Sequence, residues 1–388
     1  MKYIKVFFFN TVTAYILLEL VSFIFISSTS IIPQPQAWKR SIENPHPKNV
    51  DSDSLFGVWH VTNSHFHHVK DCFDVFNHIN SYGARDIERP RESDKQRIFL
   101  AGDSFIEGFG IDTSQRMSNL LEKDLNCEIM NFGTSGNFGS TQMRLLYEKY
   151  GKQFRHDLVV IGLTPSNDFL EDDIIFGKDY FHNRYRPYLV KTKDSFELQY
   201  YLNDISDSAW HPLNINQKIK DNEHSTVVEK LKSKLSKVSF FYQILAYVKN
   251  RYFLDIPFTS LKFSNYSSNE LDILLHNIKL IQSAAIANNA KILIFTIPAK
   301  EDILALANKT HKNNLALSIR SFCDENRISY VDLLFEQSQL DNINGLFLEC
   351  DGHWSSYGNE NAKDILKPVI DSILNIGRQD QNSSKGKD

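Results

Sequence analysis

Short apolar runs alternate with amphipathic stretches from the middle of this chain to its C-terminal part. Short segments of adjacent apolar residues, bounded by polar or turn-forming residues, predict buried strands. They lie at 97–100, 128–131, 158–163, 291–298 and 329–332. Segments with a helical apolar period predict helices at 115–123, 140–150, 270–288, 315–326 and 359–376. We expect Ser140 or Thr141 to be the N-cap of the second helix. Strands that alternate with helices predict an α/β fold, a three-layer sandwich with a central parallel sheet flanked by helices.

A large insertion interrupts this alternation at about residues 169–268. Within it, 186–190 and 196–202 predict a β-hairpin, and 226–248 predicts a helix that is basic first and aromatic afterwards. We expect the insertion to cover or shape the functional site. Its segment Phe240-Phe241-Tyr242 is interpreted as packing onto the core, with a second membrane contact as the alternative.

The N-terminal segment is a candidate membrane anchor. The run 6–26 is rich in Phe, Leu, Ile and Val and is long enough to cross a bilayer as a helix. Lys2 and Lys5 precede it, which favours a cytoplasmic N-terminus. We predict an anchor or signal segment over 1–32. An uncleaved anchor would place the rest of the chain outside the cytoplasm, and a cleaved signal peptide would make the protein secreted.

Glu19 is the charged residue inside this apolar run. One interpretation is a polar residue tolerated in a single span, and the other is a helix–helix contact inside the membrane. Beyond the run, Pro, Asn and Ser residues predict a linker over 33–54. A domain over 55–376 and a polar, disordered tail over 377–388 complete the predicted organisation.

Composition and charge narrow the class of protein. The 388 residues carry a net charge of −4 and are 42% hydrophobic and 23% charged, as in ordinary globular proteins, so nucleic acid is not an expected partner. The four cysteines match no zinc or redox spacing; they allow a disulfide in an oxidising compartment, with its pairing open. Neither the histidine-rich stretch 60–78 nor the acidic cluster 171–173, interpreted as a solvated loop, indicates a metal or cofactor. Nothing in the sequence indicates an oligomeric state.

Polar loops follow the first three predicted strands. They contain Gly102-Asp103-Ser104, Asn131-Phe132-Gly133-Thr134-Ser135-Gly136 and Asn167-Asp168, and Asp351-Gly352-His353-Trp354 lies near the C-terminus. The carboxyl ends of parallel strands meet at one edge of the sheet, where ligands bind in open α/β folds. Serine becomes a nucleophile when a base takes its proton. Ser104 is the candidate nucleophile, His353 its base, and Asp351 the residue that orients the imidazole.

These four blocks, in this order, resemble those of the SGNH (GDSL-type) hydrolase superfamily, whose fold is flavodoxin-like. The resemblance implies that Ser104 is the nucleophile. It also implies an oxyanion hole formed by the N–H groups of Ser104 and Gly136 and by the amide of Asn167. Asp103, Asp168 and Trp354 would support the site.

Three features differ from the common pattern or refine it. The aspartate lies two residues before the histidine instead of three, so that Asp351-Gly352-His353-Trp354 is more similar to the Asp-x-His-Trp motif of the alginate O-acetyltransferase branch. In the third block, Gly162 lies five residues before Asn167, with Pro165 between them. The stretch 80–86 upstream of the serine resembles membrane-anchored bacterial members of the superfamily.

The resemblance implies a serine esterase that acts on small acyl esters, with cell-surface carbohydrate as the context, through an acyl-enzyme on Ser104. One alternative is an O-acyltransferase that moves the acyl group to a polysaccharide. Another is a non-catalytic carbohydrate-binding module on the same fold. The implied partners are an acyl ester or carbohydrate substrate and, through the N-terminal anchor, a membrane.

Overall fold

The computed structural model describes residues 2–28, 50–70, 72–135, 137–180, 184–193, 195–202, 235, 238–252 and 261–385. Its strands, in chain order, are β1 Val50–Asp53, β2 Gly57–His60, β3 His65–Lys70, β4 Phe73–His78, β5 Arg97–Ala101, β6 Glu128–Asn131, β7 Leu158–Leu163, β8 Arg186–Lys191, β9 Phe196–Tyr201, β10 Lys291–Thr296 and β11 Ser329–Asp332.

The helices, also in chain order, are α1 Lys2–Ser28, α2 Ser104–Glu107, α3 Met117–Leu125, α4 Ser140–Tyr150, α5 Pro165–Glu171, α6 Ile174–Tyr180, α7 Phe240–Tyr252, α8 Ser268–Ala287, α9 Lys300–Ala307, α10 Asn314–Asn326, α11 Leu333–Ser338 and α12 Ser356–Lys385.

A five-stranded parallel sheet is the centre of the fold, in the order β11-β10-β7-β5-β6. The three central strands β10, β7 and β5 carry mainly apolar residues, and Leu158–Leu163 is buried throughout, as expected where helices cover both faces of a parallel sheet. Helix α4 packs on α8, and α3 packs on α12. The predicted α/β sandwich with a parallel sheet is therefore confirmed. Strands β5, β6 and β7 are neighbours, so the loops that follow them leave one edge of the sheet side by side.

The start of α4 differs from our prediction of Ser140 or Thr141 as the N-cap. The N-cap residue is Gly139. Its N–H donates to Gln142 Oε1 at 3.2 Å. The Thr141 N–H donates to Asp172 Oδ1 at 3.1 Å and the Ser140 hydroxyl to Asp172 Oδ2 at 2.5 Å. A carboxylate from another part of the chain thus satisfies this helix end, and Ser140 does not need to cap it.

Regular secondary structure extends into both segments that the sequence predicts to be irregular, the linker 33–54 and the tail 377–388. Strand β1 begins at Val50, inside the predicted linker 33–54, because it pairs antiparallel with β2. Residues 33–49 of that linker lie outside the described residues. Helix α12 continues to Lys385, into the tail predicted as disordered. Extending an existing helix needs no new nucleation, which favours its propagation into a polar sequence.

Helices α1 and α7 belong to a second compact unit. Among the described residues, α1 is the one helix long and apolar enough to cross a membrane, over 24 residues from Lys5 to Ser28. Residues 240–248 of the predicted helix 226–248 lie in α7, which runs on to Tyr252.

The cysteines fall into two classes. Cys127 and Cys323 are buried free thiols, whereas Cys72 and Cys350 are disulfide-bonded. Disulfides persist mainly in oxidising compartments.

Candidate active site

A sharp turn between β5 and α2 presents Ser104. The Asp103 side chain caps α2, because its Oδ1 accepts from the Phe105 N–H at 3.0 Å. Gly102 is packed so tightly that a Cβ would lie 2.9 Å from the Gly162 carbonyl oxygen and 2.3 Å from Ile106 Cγ1. With Asp103 as the N-cap, Ser104 is the first residue of α2. Backbone N–H groups at this position have no acceptor within the helix.

Ser104, His353 and Asp351 form a continuous hydrogen-bonded chain. Ser104 Oγ lies 2.6 Å from His353 Nε2. On the other side of the ring, His353 Nδ1 is in close hydrogen-bond contact with Asp351 Oδ1, which also accepts from the His353 backbone N–H at 3.2 Å. An imidazole held by a carboxylate on one nitrogen and contacting a hydroxyl through the other is arranged to take the proton of that hydroxyl.

Aromatic rings fix the plane of the His353 imidazole. Phe109 stacks on it with 4.2 Å between ring centroids and 24° between planes, and Phe105 lies at 4.9 Å. Trp354 meets Phe105 edge-on at 5.2 Å and is 1% exposed. Phe109 belongs to none of the four sequence blocks, and its position five residues after Ser104 is only a weak signal for a role beside His353.

The packing of Trp354 against Phe105 should stabilise the loop that carries His353, and truncating Trp354 measures the free energy that this packing contributes to folding. We expect Trp354→Ala to lower the free energy of unfolding by about 3–5 kcal/mol, since it removes a fully buried indole. Trp354→Phe should cost less, because a ring still contacts Phe105. Urea unfolding of both variants checks this, and equal stability of Trp354→Ala and the parent would show that the indole is not part of the packing.

Asn167 comes to the same place from β7. Pro165 is the first residue of α5, a position that proline favours, and Asn167 lies in the first turn. Its Nδ2 donates to Asp103 Oδ2 at 3.2 Å, and an amide nitrogen carries a second hydrogen. The unusual spacing from Gly162 to Asn167 is thus accommodated by a proline-started helix.

Asp168 stabilises the beginning of α5. Its Oδ2 accepts from the Thr164 N–H at 2.8 Å. Burial raises the pKa of Asp168 well above its usual range, and the neighbouring carboxylates of Asp103, Glu171 and Asp172 raise it further. Its observed contact supports the turn that carries Asn167.

The loop after β6 carries the second predicted block. Gly136 lies outside the described residues. Beside it, the Ser135 N–H and hydroxyl both donate to the Glu107 carboxylate in close contacts, and the Gly133 N–H donates to Asn131 Oδ1 at 2.9 Å. A Cβ at Gly133 would lie 2.2 Å from the Glu107 backbone nitrogen. The loop is thereby held against the helical turn that carries Ser104.

The β8–β9 hairpin of the insertion contacts the other side of this loop. Arg186, fully buried, donates through Nη1 to the Asn137 carbonyl oxygen in a close contact and through Nη2 to the Glu171 carbonyl oxygen at 2.9 Å. Arg184 Nη1 donates to Asn137 Oδ1 at 3.2 Å. Neither arginine, nor Glu107, stands in a recognisable motif, so the sequence offered no signal for them.

The acidic cluster 171–173 was predicted as a solvated loop, which is wrong for two of its members. Glu171 and Asp172 are 7% and 6% exposed, because Glu171 ends α5 under the hairpin and Asp172 holds the start of α4. Burial raises the pKa of Glu171 to about 7, against the lowering effect of Arg186. Among the described residues, no group of three or more His, Cys, Asp or Glu side chains could hold a metal ion.

Glu171 should make stability depend on pH. Its pKa is about 7 in the folded chain against 4.5 as the ordinary value, so the folded state binds the proton more tightly and loses stability as pH rises from about 4.5 to 7. We expect Glu171→Gln to remove this loss, raising the free energy of unfolding by about 3 kcal/mol more at pH 8 than at pH 4. Denaturant unfolding at both pH values tests it, with exposed Asp173→Asn as the control. An equal effect of Glu171→Gln at the two pH values would contradict it.

Comparisons with known proteins give distant structural likenesses. No family model and no curated protein matches the chain. A GDSL-like lipase from Bacteroides thetaiotaomicron is similar at 13% identity and a TM-score of 0.39, over 73% of this chain and 92% of that one. A lipase/acylhydrolase from Enterococcus faecalis is similar at 9% identity and a TM-score of 0.38, over 71% and 96%. Likenesses this distant assign no activity.

Proposed function

We propose that this chain is a serine esterase or acyltransferase of the SGNH type in which Ser104 forms an acyl-enzyme. The observation that carries the proposal is the hydrogen-bonded chain from Ser104 Oγ through His353 to Asp351, with 2.6 Å between Ser104 Oγ and His353 Nε2. A binding module has no need for a nucleophile, a base and an orienting carboxylate in hydrogen-bond contact. This geometry therefore favours catalysis over a non-catalytic carbohydrate-binding role.

The first half of the reaction follows from these contacts. His353 Nε2 takes the proton of Ser104 as Oγ attacks the ester carbonyl carbon, and Asp351 stabilises the imidazolium that forms. The resemblance to SGNH hydrolases assigns the tetrahedral oxyanion to the N–H groups of Ser104 and Gly136 and to the Asn167 amide, each worth roughly 100- to 1,000-fold in rate. The imidazolium then gives its proton to the leaving alcohol, and the acyl group remains on Ser104.

The second half decides between hydrolysis and transfer. His353 deprotonates water or a sugar hydroxyl, which attacks the acyl-enzyme, and the proton returns to Ser104 Oγ as the product leaves. Water makes the protein an esterase, and a sugar makes it an O-acyltransferase. The motif Asp351-Gly352-His353-Trp354 is similar to that of the alginate O-acetyltransferase branch. This similarity favours a carbohydrate substrate and a small transferred acyl group.

We further propose that the enzyme is anchored in a membrane and faces an oxidising, extracytoplasmic compartment. Helix α1 supports the anchor by its length and apolar composition. The bonded state of Cys72 and Cys350 supports the compartment.

The proposal is tested by the fate of the acyl group. The purified full chain is incubated with p-nitrophenyl acetate, with and without oligosaccharide acceptors, beside its Ser104→Ala variant. Release of p-nitrophenol that requires Ser104 supports the proposal, and the ratio of free acetate to acetylated sugar separates hydrolysis from transfer. Folded protein that releases no p-nitrophenol and deacetylates no acetylated oligosaccharide would contradict it.

A further inference from the structure

We propose that α7 is a second membrane-inserted helix, held against the membrane-spanning α1 by Glu19, so that the insertion is fastened to the lipid bilayer. This inference rests on the proposed membrane anchoring of α1 but not on the proposed chemistry at Ser104.

The carboxylate of Glu19 sits on the first turn of α7. It accepts from the Phe240 N–H at 2.9 Å and the Phe241 N–H at 3.4 Å, and the Ser239 hydroxyl donates to its other oxygen in a close contact. The first N–H groups of a helix lack acceptors within the helix. A negative charge at this end also interacts favourably with the positive end of the helix dipole. The Ser239 Oγ accepts from the Tyr242 N–H at 3.0 Å, and Glu19 supplies from α1 the acceptors for the Phe240 and Phe241 N–H groups.

One face of α1 is turned toward α7. Tyr15, Glu19, Ser22 and Ile26 recur at helical spacing. Ser22 and Ile26 are 3% and 2% exposed, whereas other apolar residues of α1 are mostly exposed. The Tyr15 hydroxyl donates to Ser239 Oγ at 3.4 Å.

Apolar contacts extend the pairing along both helices. Ile26 and Phe240 form a small buried cluster with Ile244 packed against it. The rings of Phe23 and Phe240 meet edge-on at 5.1 Å. The two helices therefore share a packed seam in addition to the Glu19 cap.

The position of Glu19 places the beginning of this seam inside the hydrocarbon region of the membrane. Glu19 lies 14 residues after Lys5, about 21 Å along a helix axis, while the hydrocarbon core is about 30 Å thick. An unpaired carboxylate at that depth is costly, and such residues face partners inside the bundle. The N–H groups of α7 are the partners that the structure provides, so α7 begins within the depth that α1 spans.

The rest of α7 fits lipid as its surroundings. Leu245, Val248 and the neighbouring Val238 are 50%, 37% and 49% exposed, an exposure that suits apolar side chains in lipid better than in water. The sequence on both sides is basic, with Lys230, Lys232, Lys234 and Lys237 before the helix and Lys249 and Arg251 at its end. Lysine and arginine side chains near a membrane-inserted helix can in general extend their charged ends to the headgroup interface.

Lipid contact of α7 can be measured directly. The full chain is reconstituted in phosphatidylcholine–phosphatidylglycerol vesicles after labelling Leu245→Cys with an NBD maleimide, and quenching by nitroxide groups on lipid acyl chains is recorded. The matched control is Leu317→Cys on α10, an apolar residue that is 66% exposed. The free native thiols Cys127 and Cys323 are buried, which keeps background labelling low.

We expect the probe at position 245 to be strongly quenched and the probe at 317 to be unaffected. Glu19→Leu should abolish most of the quenching at 245, whereas Glu19→Gln should retain it, because the amide oxygen still accepts from the Phe240 and Phe241 N–H groups. Resistance to alkaline carbonate extraction shows whether α1 remains in the membrane.

Three outcomes would overturn the proposal. An unquenched probe at 245 in carbonate-resistant protein would place α7 outside the bilayer. Quenching that persists in Glu19→Leu would remove the role of Glu19. Release of the protein by carbonate would refute the anchor and this inference with it. Turnover of p-nitrophenyl acetate by the same vesicles reports separately on Ser104, so that failure of the chemistry is distinguishable from failure of the membrane contact.

Discussion

Ser104→Ala is expected to lower kcat for ester hydrolysis by about 10⁶-fold, as residues that act as one catalytic unit do. The alanine has no oxygen to attack the carbonyl carbon, so no acyl-enzyme can form. His353→Ala should cause a similar loss, because Ser104 then has no base within reach. Since the two residues act on the same proton, the double variant should be no slower than either single variant. Initial rates with p-nitrophenyl acetate measure all three.

Folding controls keep this result interpretable. Ser104 and His353 lie at a turn and in a loop beside the sheet, so thermal unfolding of each variant should show the cooperative transition of the parent. Full turnover in either single variant would end the assignment of Ser104 as the nucleophile or His353 as the base. Losses that add in the double variant would show that the two residues act in separate steps.

Asp351→Asn is expected to lower kcat by about 10⁴-fold with little change in the fold. The carboxylate accepts the proton on His353 Nδ1 and so leaves Nε2 as the acceptor for the Ser104 proton. An asparagine amide can donate to Nδ1 instead, which favours the tautomer that carries its hydrogen on Nε2, facing Ser104. The imidazole would then be unable to act as the base.

The matched control for this substitution is Asp341→Asn, a change of the same kind at an exposed position. We expect it to leave kcat unchanged. Steady-state kinetics of the two variants, with circular dichroism to verify folding, form the measurement. Parent-like kcat in Asp351→Asn would show that the contact with His353 is structural only.

The sheet could be predicted because its central strands are apolar segments that stand out from the polar residues around them. Burial on both faces makes segments such as Leu158–Leu163 continuous apolar runs, and the helices between them keep their period. The meeting of Ser104 with His353, 249 residues apart in sequence, could be anticipated from the order of the polar blocks and from the rule that parallel strands end at one edge. Their catalytic role stays a prediction.

The supporting contacts could not be predicted, for a physical reason. Glu107, Arg186 and Asp172 act through backbone groups or hydroxyls of residues 28 to 49 positions away. Such pairings leave no periodic trace in the sequence, and acidic residues in a row have solvent as their ordinary surroundings. Burial of Glu171 and Asp172 depends on the hairpin and on α4, neither of which is adjacent in sequence.

The Glu19 contact shows the same limitation in another setting. A lone carboxylate in an apolar run admits both a tolerated polar residue and a helix–helix contact. Only the position of α7 shows which groups accompany it. An apolar period identifies a helix, but its partner depends on chain segments more than 200 residues distant.

Intact-mass analysis of the full chain during turnover of p-nitrophenyl acetate tests the central claim most directly, with the Ser104→Ala variant in parallel. The account predicts an added acetyl group on the parent chain, mapped to Ser104 by peptide sequencing, and none on the variant. The same adduct on both proteins, or parent turnover with acetyl groups found only on other residues, would contradict Ser104 as the nucleophile.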